Sequence, residues 1–137
     1  MDNQIPKLSL DSLLKNNDQS LEMLSNALSN HGFFIITDHK ISHSLFNKAY
    51  EYSEKFFNLD TSVKSKYSFR ESAGARGYTP FGKETALGET VPDLKEFWHH
   101  GPVIDDSYDE RIMKNIYVNE IDEFNTVFDE LFNEMNS

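Results

Sequence analysis

Residues 5–10 (Ile-Pro-Lys-Leu-Ser-Leu) alternate apolar and polar side chains around a proline, the pattern of a short edge strand. The spacing then changes. Leu21, Leu24, Ala27 and Leu28 share one face of a helix that Asp18 or Ser20 can cap and Gly32 stops. The run 33–37, Phe-Phe-Ile-Ile-Thr, is continuous, aromatic and β-branched, and predicts a buried strand. A second helix, capped near Ser42, turns Leu45, Phe46, Ala49, Tyr52, Phe56 and Phe57 inward. Asp60 caps a shorter third helix through Val63, Lys64 and Tyr67. Five of the six Gly and three of the four Pro lie from Gly74 to Pro102, so residues 72–101 are loop and strand. A last helix, capped by Asn119, carries Ile121, Phe124, Phe128, Leu131, Phe132 and Met135 as the clearest helical stripe in the chain.

These elements predict an α+β fold, with three to four helices packed on a few short strands rather than an alternating βαβ sheet. One domain is expected over 1–137, without internal repeats. Strand 33–37 should be its most buried segment, met by Leu24, Leu28, Leu45, Ala49 and Phe56. The last helix is still periodic at Met135, two residues before the chain stops, and has no glycine exit. That points to a truncated parent.

Composition limits the partners. Only 38% of the 137 residues are hydrophobic, but 13% are aromatic, with eleven Phe and six Tyr, so a real core is within reach. Thirteen Lys and Arg against 23 Asp and Glu leave a net charge of −10, which repels phosphate backbones and anionic membranes. No nucleic acid and no membrane are therefore expected as partners. The acidic excess over residues 105–134 reads as a solvated helix face. There is no apolar run of membrane-spanning length, no secretory signal and no Cys, which suits a cytoplasmic location.

Little in the chain carries chemistry by itself. It has no Gly-x-Ser-x-Gly elbow and no phosphate loop. Asp38, His39 and His43 offer a carboxylate and two His in six residues, but His39 falls in the turn ahead of the helix that starts near Ser42. They read as turn-stabilising groups, with a metal-binding protein using His39 and His43 as the weaker alternative. His99 and His100 point to opposite sides of a strand, so one ring should be packed and the other exposed.

Several stretches resemble a known family. Asn30-His31-Gly32-Phe33-Phe34-Ile35-Ile36-Thr37-Asp38-His39 is similar to the helix, Gly-Phe-Phe and strand of the N-terminal domain of iron(II)/2-oxoglutarate-dependent oxygenases, in the isopenicillin N synthase-like branch. Ile5-Pro6-x-Leu8-x-Leu10 resembles its opening strand, and Phe56-Phe57-x-Leu59 with Lys64 and Tyr67 its second and third helices. Arg76-Gly77-Tyr78 with Glu84, then Pro92-Asp93-x-Lys95-Glu96-Phe97-x-x-x-Gly101, resembles a further family segment. The four stretches come in the family's order and cover essentially the whole chain.

The resemblance implies a parent enzyme, an oxidoreductase (dioxygenase) using Fe(II) and 2-oxoglutarate on a small-molecule substrate. In that family a His-x-Asp/Glu pair and a distant His hold the iron, in a jelly-roll following the present segment, and an Arg-x-Ser motif holds 2-oxoglutarate. None of His31, His39, His43, His99 and His100 is followed two places later by Asp or Glu. The chain is therefore expected to lack the iron ligands, the Arg-x-Ser pair and catalytic residues, and to carry no cofactor itself. It would brace the jelly-roll and form part of the substrate entrance. The family's equivalent of Arg76 and Tyr78 lies at the mouth of the jelly-roll, so these two are the candidate substrate-binding residues, with Arg76 suited to a carboxylate. Lys95 and Glu96 are expected to form a structural pair, and Trp98 to anchor the neighbouring domain.

A different class is the alternative: a self-standing acidic interaction module that keeps the fold without the chemistry. In either case the isolated chain is expected to self-associate. Phe81, Leu94, Phe97 and Trp98, and the stripe of the last helix, would otherwise stay uncovered.

Overall fold

Strand β1 (Lys7–Ser9) begins straight after Pro6, and its alternation ends sooner than the pattern suggests, because Leu10 already opens helix α1 (Leu10–Leu14). In this computed structural model residues 4–15, 17–72, 74–85, 90–105, 107–108 and 111–137 are described, and they fall into two compact units, Met1–Lys40 and Ile41–Ser137. Among them no helix is long and apolar enough to cross a membrane.

In the first unit helix α2 (Asp18–His31) is capped by Asn17 rather than Asp18 or Ser20. The Asn17 side chain accepts from the Ser20 amide at 2.9 Å, and the Ser20 hydroxyl, itself buried, donates to the Asn17 carbonyl at 3.0 Å. Gly32 closes the helix in the left-handed region. Strand β2 (Ile35–Thr37) then pairs with β1 in parallel, Leu8 opposite Ile36. A parallel pair needs a crossover, here α1 and α2, so a small β-helix-β unit is present where none was expected.

β2 is also not the most buried segment. Phe33 is 57% exposed, Ile35 and Ile36 are each 42% exposed, and only Phe34 and Thr37 are half-buried. A sheet of two strands cannot cover both faces of a side-chain alternation, so the apolar run stays half wet. Leu8 and Ala27 are the buried apolar side chains here, while Leu28 is exposed.

The second unit holds the larger core. Helix α3 (His43–Phe57) starts where Ser42 accepts from the Leu45 amide at 3.1 Å, as its sequence predicts. Its inward residues Leu45 and Ala49 pack on Val127 of helix α5 (Phe124–Met135). The apolar stripe of α5 thus finds its facing surface inside the chain. Phe124 and Val127 are buried and Phe128 and Leu131 half-buried, leaving Met135 exposed.

α5 starts later than Asn119 suggests. Glu123 sits in the left-handed region at φ 62° and precedes the first helical turn. Asn119 does not cap; its amide donates to the Tyr67 hydroxyl at 3.0 Å. Asn125 pins the approach instead, accepting from the Val118 amide and donating to the Val118 carbonyl, both at 2.8 Å.

After α3, Asp60 precedes the single turn of α4 (Thr61–Lys64) without a side-chain cap, and 3₁₀ turns follow at Ser65–Tyr67 and Arg70–Ser72. Strands β3 (Gly77–Thr79) and β4 (Phe97–His99) form an antiparallel pair with Tyr78 opposite Trp98. Gly77 has φ 78°, and a Cβ there would lie 2.5 Å from the Tyr67 carbonyl oxygen, so this position takes only glycine. Phe56 is fully buried at the hub, ringed by Tyr67, Tyr78, Trp98 and Phe124 at centroid distances of 6.2, 5.8, 4.9 and 5.4 Å. Trp98 is therefore an anchor of this core.

Candidate functional site

Arg76 precedes β3 and Gly101 follows β4, and the antiparallel register brings them together. The guanidinium lies on Gly101 so closely that a methyl group there would collide with Nε, Cζ and Nη2. Its Nη1 donates to the Ala75 carbonyl at 2.6 Å, while Nε is buried and has no hydrogen-bond partner among the described residues. Gly101 is clamped in turn by Asn115, which accepts from its amide and donates to its carbonyl, each at 2.8 Å.

Beside this clamp, His100 Nε2 donates to Asp129 Oδ1 of α5 at 2.7 Å, and the Tyr117 hydroxyl donates to Asp129 Oδ2 at 3.2 Å. The His100 side chain is only 8% exposed. Burial holds its pKa below the ordinary value of 6.5, partly opposed by the hydrogen bond and charge of Asp129 and helped by the nearby charge of Arg76. His99 on the strand is exposed, so the adjacent rings do divide into one packed and one exposed.

The lowered pKa has a consequence for stability. The unfolded chain takes up a proton near pH 6.5, and the folded chain resists it, so more protons are bound on unfolding. Stability should therefore fall as pH drops below 6.5 and be fully restored above it. Urea midpoints measured from pH 5 to 7.5 should rise with pH, and His100→Gln should flatten that part of the curve. An unchanged slope in the variant would refute the assignment.

Tyr78 does not share a site with Arg76. Its ring is 3% exposed within the aromatic core and its hydroxyl donates to Glu96 Oε2 at 2.5 Å. Burial first, then the bond to Glu96, raises its pKa well beyond the usual tyrosine range, so the hydroxyl remains a donor. Glu96 also receives Lys64 Nζ at 2.9 and 3.1 Å, and the same ammonium donates to the Phe57 carbonyl at 2.8 Å. Lys95 and Glu96 do not pair with each other: Lys95 turns outward to Asp93 at 2.8 Å and Glu84 at 3.6 Å. Adjacent residues at a strand leave opposite faces, which is why the pairs separate.

Sequence reasoning missed Asn115 and Asp129, which carry no motif. It passed over Lys64, whose signal was a lysine among inward apolar positions. It also overlooked one Arg-x-Ser, Arg70-Glu71-Ser72, which forms the second 3₁₀ turn. There the Ser72 hydroxyl is spent locally, donating to the Phe69 carbonyl at 2.8 Å.

The donor set among the described residues does not fit an iron centre. Among the described residues no group of three His, Cys, Asp or Glu side chains is placed to hold a metal ion, and His100 and Asp129 are turned on each other.

Helices and short strands in this arrangement are those of 2-oxoglutarate/Fe(II) oxygenases. The chain is similar to a solved 2OG-Fe(II) oxygenase family protein of Caulobacter crescentus with a TM-score of 0.76 and 30% identity, covering 96% of this chain and 44% of that one. It is also 32% identical over 112 residues to a Dictyostelium discoideum iron/ascorbate oxidoreductase, covering 77% of this chain and 30% of the relative. Gibberellin 20 oxidase 1 of Arabidopsis thaliana is 34% identical over 77 residues, 54% of this chain and 20% of that enzyme. Residues 5–120 match the family described as non-haem dioxygenase in morphine synthesis N-terminal, and the chain belongs to that family of dioxygenase N-terminal domains. It spans less than half the length of each of these three proteins.

Proposed function

We propose that the chain is the non-catalytic N-terminal part of a cytoplasmic iron(II)/2-oxoglutarate oxygenase of the isopenicillin N synthase-like branch. A jelly-roll core would supply the iron ligands and the 2-oxoglutarate site, and this part would brace that core and form one side of the substrate entrance. One observation carries the reading: 96% of the chain aligns with only 44% of the Caulobacter oxygenase, while its described His and carboxylate side chains are not grouped to hold a metal ion. Arg76 is the residue for the substrate. Its planar fork, held over Gly101 with Nε unpartnered among the described residues, suits a carboxylate. Tyr78, buried in the aromatic core with its hydroxyl committed to Glu96, braces the strand that follows Arg76.

The mass of the native protein that carries this sequence decides the matter. It should exceed 15.9 kDa, with further peptides containing His-x-Asp and a distal His. A native mass of 15.9 kDa would overturn the reading and leave the interaction module in its place. Prepared alone, the chain should consume no O₂ with Fe(II) and 2-oxoglutarate. It should also pair with a second copy through Phe81, Val91 and Leu94, which are 56%, 70% and 92% exposed. Light scattering that gives a monomer at micromolar concentration would refute the pairing.

A further inference from the structure

A cavity of about 530 Å³ opens beside β3, between the Arg70–Ser72 turn and the residues that follow the strand. Arg70, Gly74, Tyr78, Thr79 and Lys83 line it, and Arg76 does not. Its volume lies in the range of about 300–1,000 Å³ that takes a small molecule rather than a macromolecular segment.

Three features point to the chemistry of the occupant. Thr79 is only 7% exposed, yet its hydroxyl makes no hydrogen bond among the described residues. Thr79 lines the cavity, so its hydroxyl is open to a ligand oxygen. Gly74 keeps the approach open, since even a Cβ there would lie 3.5 Å from Thr79 Oγ1.

Arg70 and Lys83 are the second feature. In a chain with 23 acidic and 13 basic residues, Lys48, Lys55, Lys64, Lys66 and Lys95 each have a carboxylate within 3.6 Å. Arg70 and Lys83 have none among the described residues, a state they share with Lys7, Lys15, Lys40 and Arg76, and both line this one cavity. The third is the disposition of Glu84. It also lines the cavity, but its carboxylate faces Lys95 at 3.6 Å, which lessens its repulsion of an anion.

We propose that this cavity binds a small oxyanion, a carboxylate or a phosphate group, between Arg70 and Lys83, with the Thr79 hydroxyl donating to it. The guanidinium presents a fork to two ligand oxygens and the ammonium a point charge opposite. The site lies wholly within residues 68–84, so it stands or falls independently of the larger protein proposed above.

The test is a ¹⁵N-amide titration of the full 137-residue chain with succinate and, separately, inorganic phosphate, at constant ionic strength. 1,4-Butanediol serves as the neutral control. Saturable shifts confined to residues 68–84 are expected, with dissociation constants in the millimolar range and weakening as NaCl is added. Arg70→Gln and Lys83→Gln should each weaken binding about tenfold, and Thr79→Val by about threefold. Lys48→Gln, on α3, should change nothing. A response to succinate alone identifies an organic acid, to phosphate alone a phosphate ester, and to both a general oxyanion site. No saturable shift up to about 10 mM of either anion, equal shifts with butanediol, or binding unchanged in both cation variants would overturn the proposal. The exposed positions of Arg70 and Lys83 keep these two variants foldable, and the dispersion of their spectra verifies it.

Discussion

Glu96→Gln should cost about 3–5 kcal/mol of stability, the range for removing one partner of a buried ion pair. The Lys64 and Glu96 side chains are only 7% and 14% exposed. Lys64 Nζ has both Glu96 oxygens and the Phe57 carbonyl around it, so the variant leaves an ammonium buried with a neutral amide. Because folded domains hold only about 5–15 kcal/mol in total, this single change should be severe. The loss should come from the stranded charge, not from intrinsic strength of the pair. Lys64→Met combined with Glu96→Leu and Tyr78→Phe should therefore recover most of it, since no charge is then stranded and only the Phe57 carbonyl loses a donor. Urea denaturation measures both. A loss under 1 kcal/mol for Glu96→Gln would show that the pair is hydrated.

The pair also ties together the elements around β3 and β4. It joins the end of α3 and the turn of α4 to the residue preceding β4, and Tyr78 ties β3 to the same carboxylate. The β3–β4 register in turn sets Arg76 over Gly101. The lysine of the short third helix thus underlies the geometry of the candidate substrate residue.

What could be read along the chain was local. Helix α3 and its Ser42 cap follow from a short-range pattern of a polar capping residue and repeated apolar spacing, and the structure repeats them. The β3–β4 pair lies in the glycine- and proline-rich stretch expected to be strand and loop. The misreadings came from what periodicity does not encode. It does not say that a strand such as 33–37 will have only one neighbour, so a run of five apolar and β-branched residues read as buried when Ile35 and Ile36 are 42% exposed. It does not give the partner of an apolar stripe, so α5 seemed to need another surface when α3 already provides one. Polar pairs distant in sequence, such as His100 with Asp129 and Lys64 with Glu96, depend on the fold and leave no spacing to find. Arg76 was legible as a residue type in a family-like segment, but its perch on Gly101 was not.

Phe56→Ala should be as damaging, at about 3–5 kcal/mol. The ring is fully buried, and it makes edge-on or tilted contacts with Tyr67, Tyr78, Trp98 and Phe124 that each add to plain burial. These partners come from a 3₁₀ turn, β3, β4 and α5, so one truncation loosens every element that meets α3's last turn. Large neighbouring rings close a cavity poorly, because moving one breaks its other edge contacts, and the cost should sit near the top of the range. Trp98, the chain's one tryptophan, reports the event directly, since its ring centroid lies 4.9 Å from that of Phe56. Its emission should shift to the red in Phe56→Ala under conditions where the unaltered chain is folded. Phe81→Ala is the matched control: that ring is 56% exposed, and its loss should change stability by no more than about 0.5 kcal/mol. Equal effects from the two substitutions, or an unshifted Trp98 spectrum in the first, would mean that the aromatic hub around Phe56 does not hold this fold together.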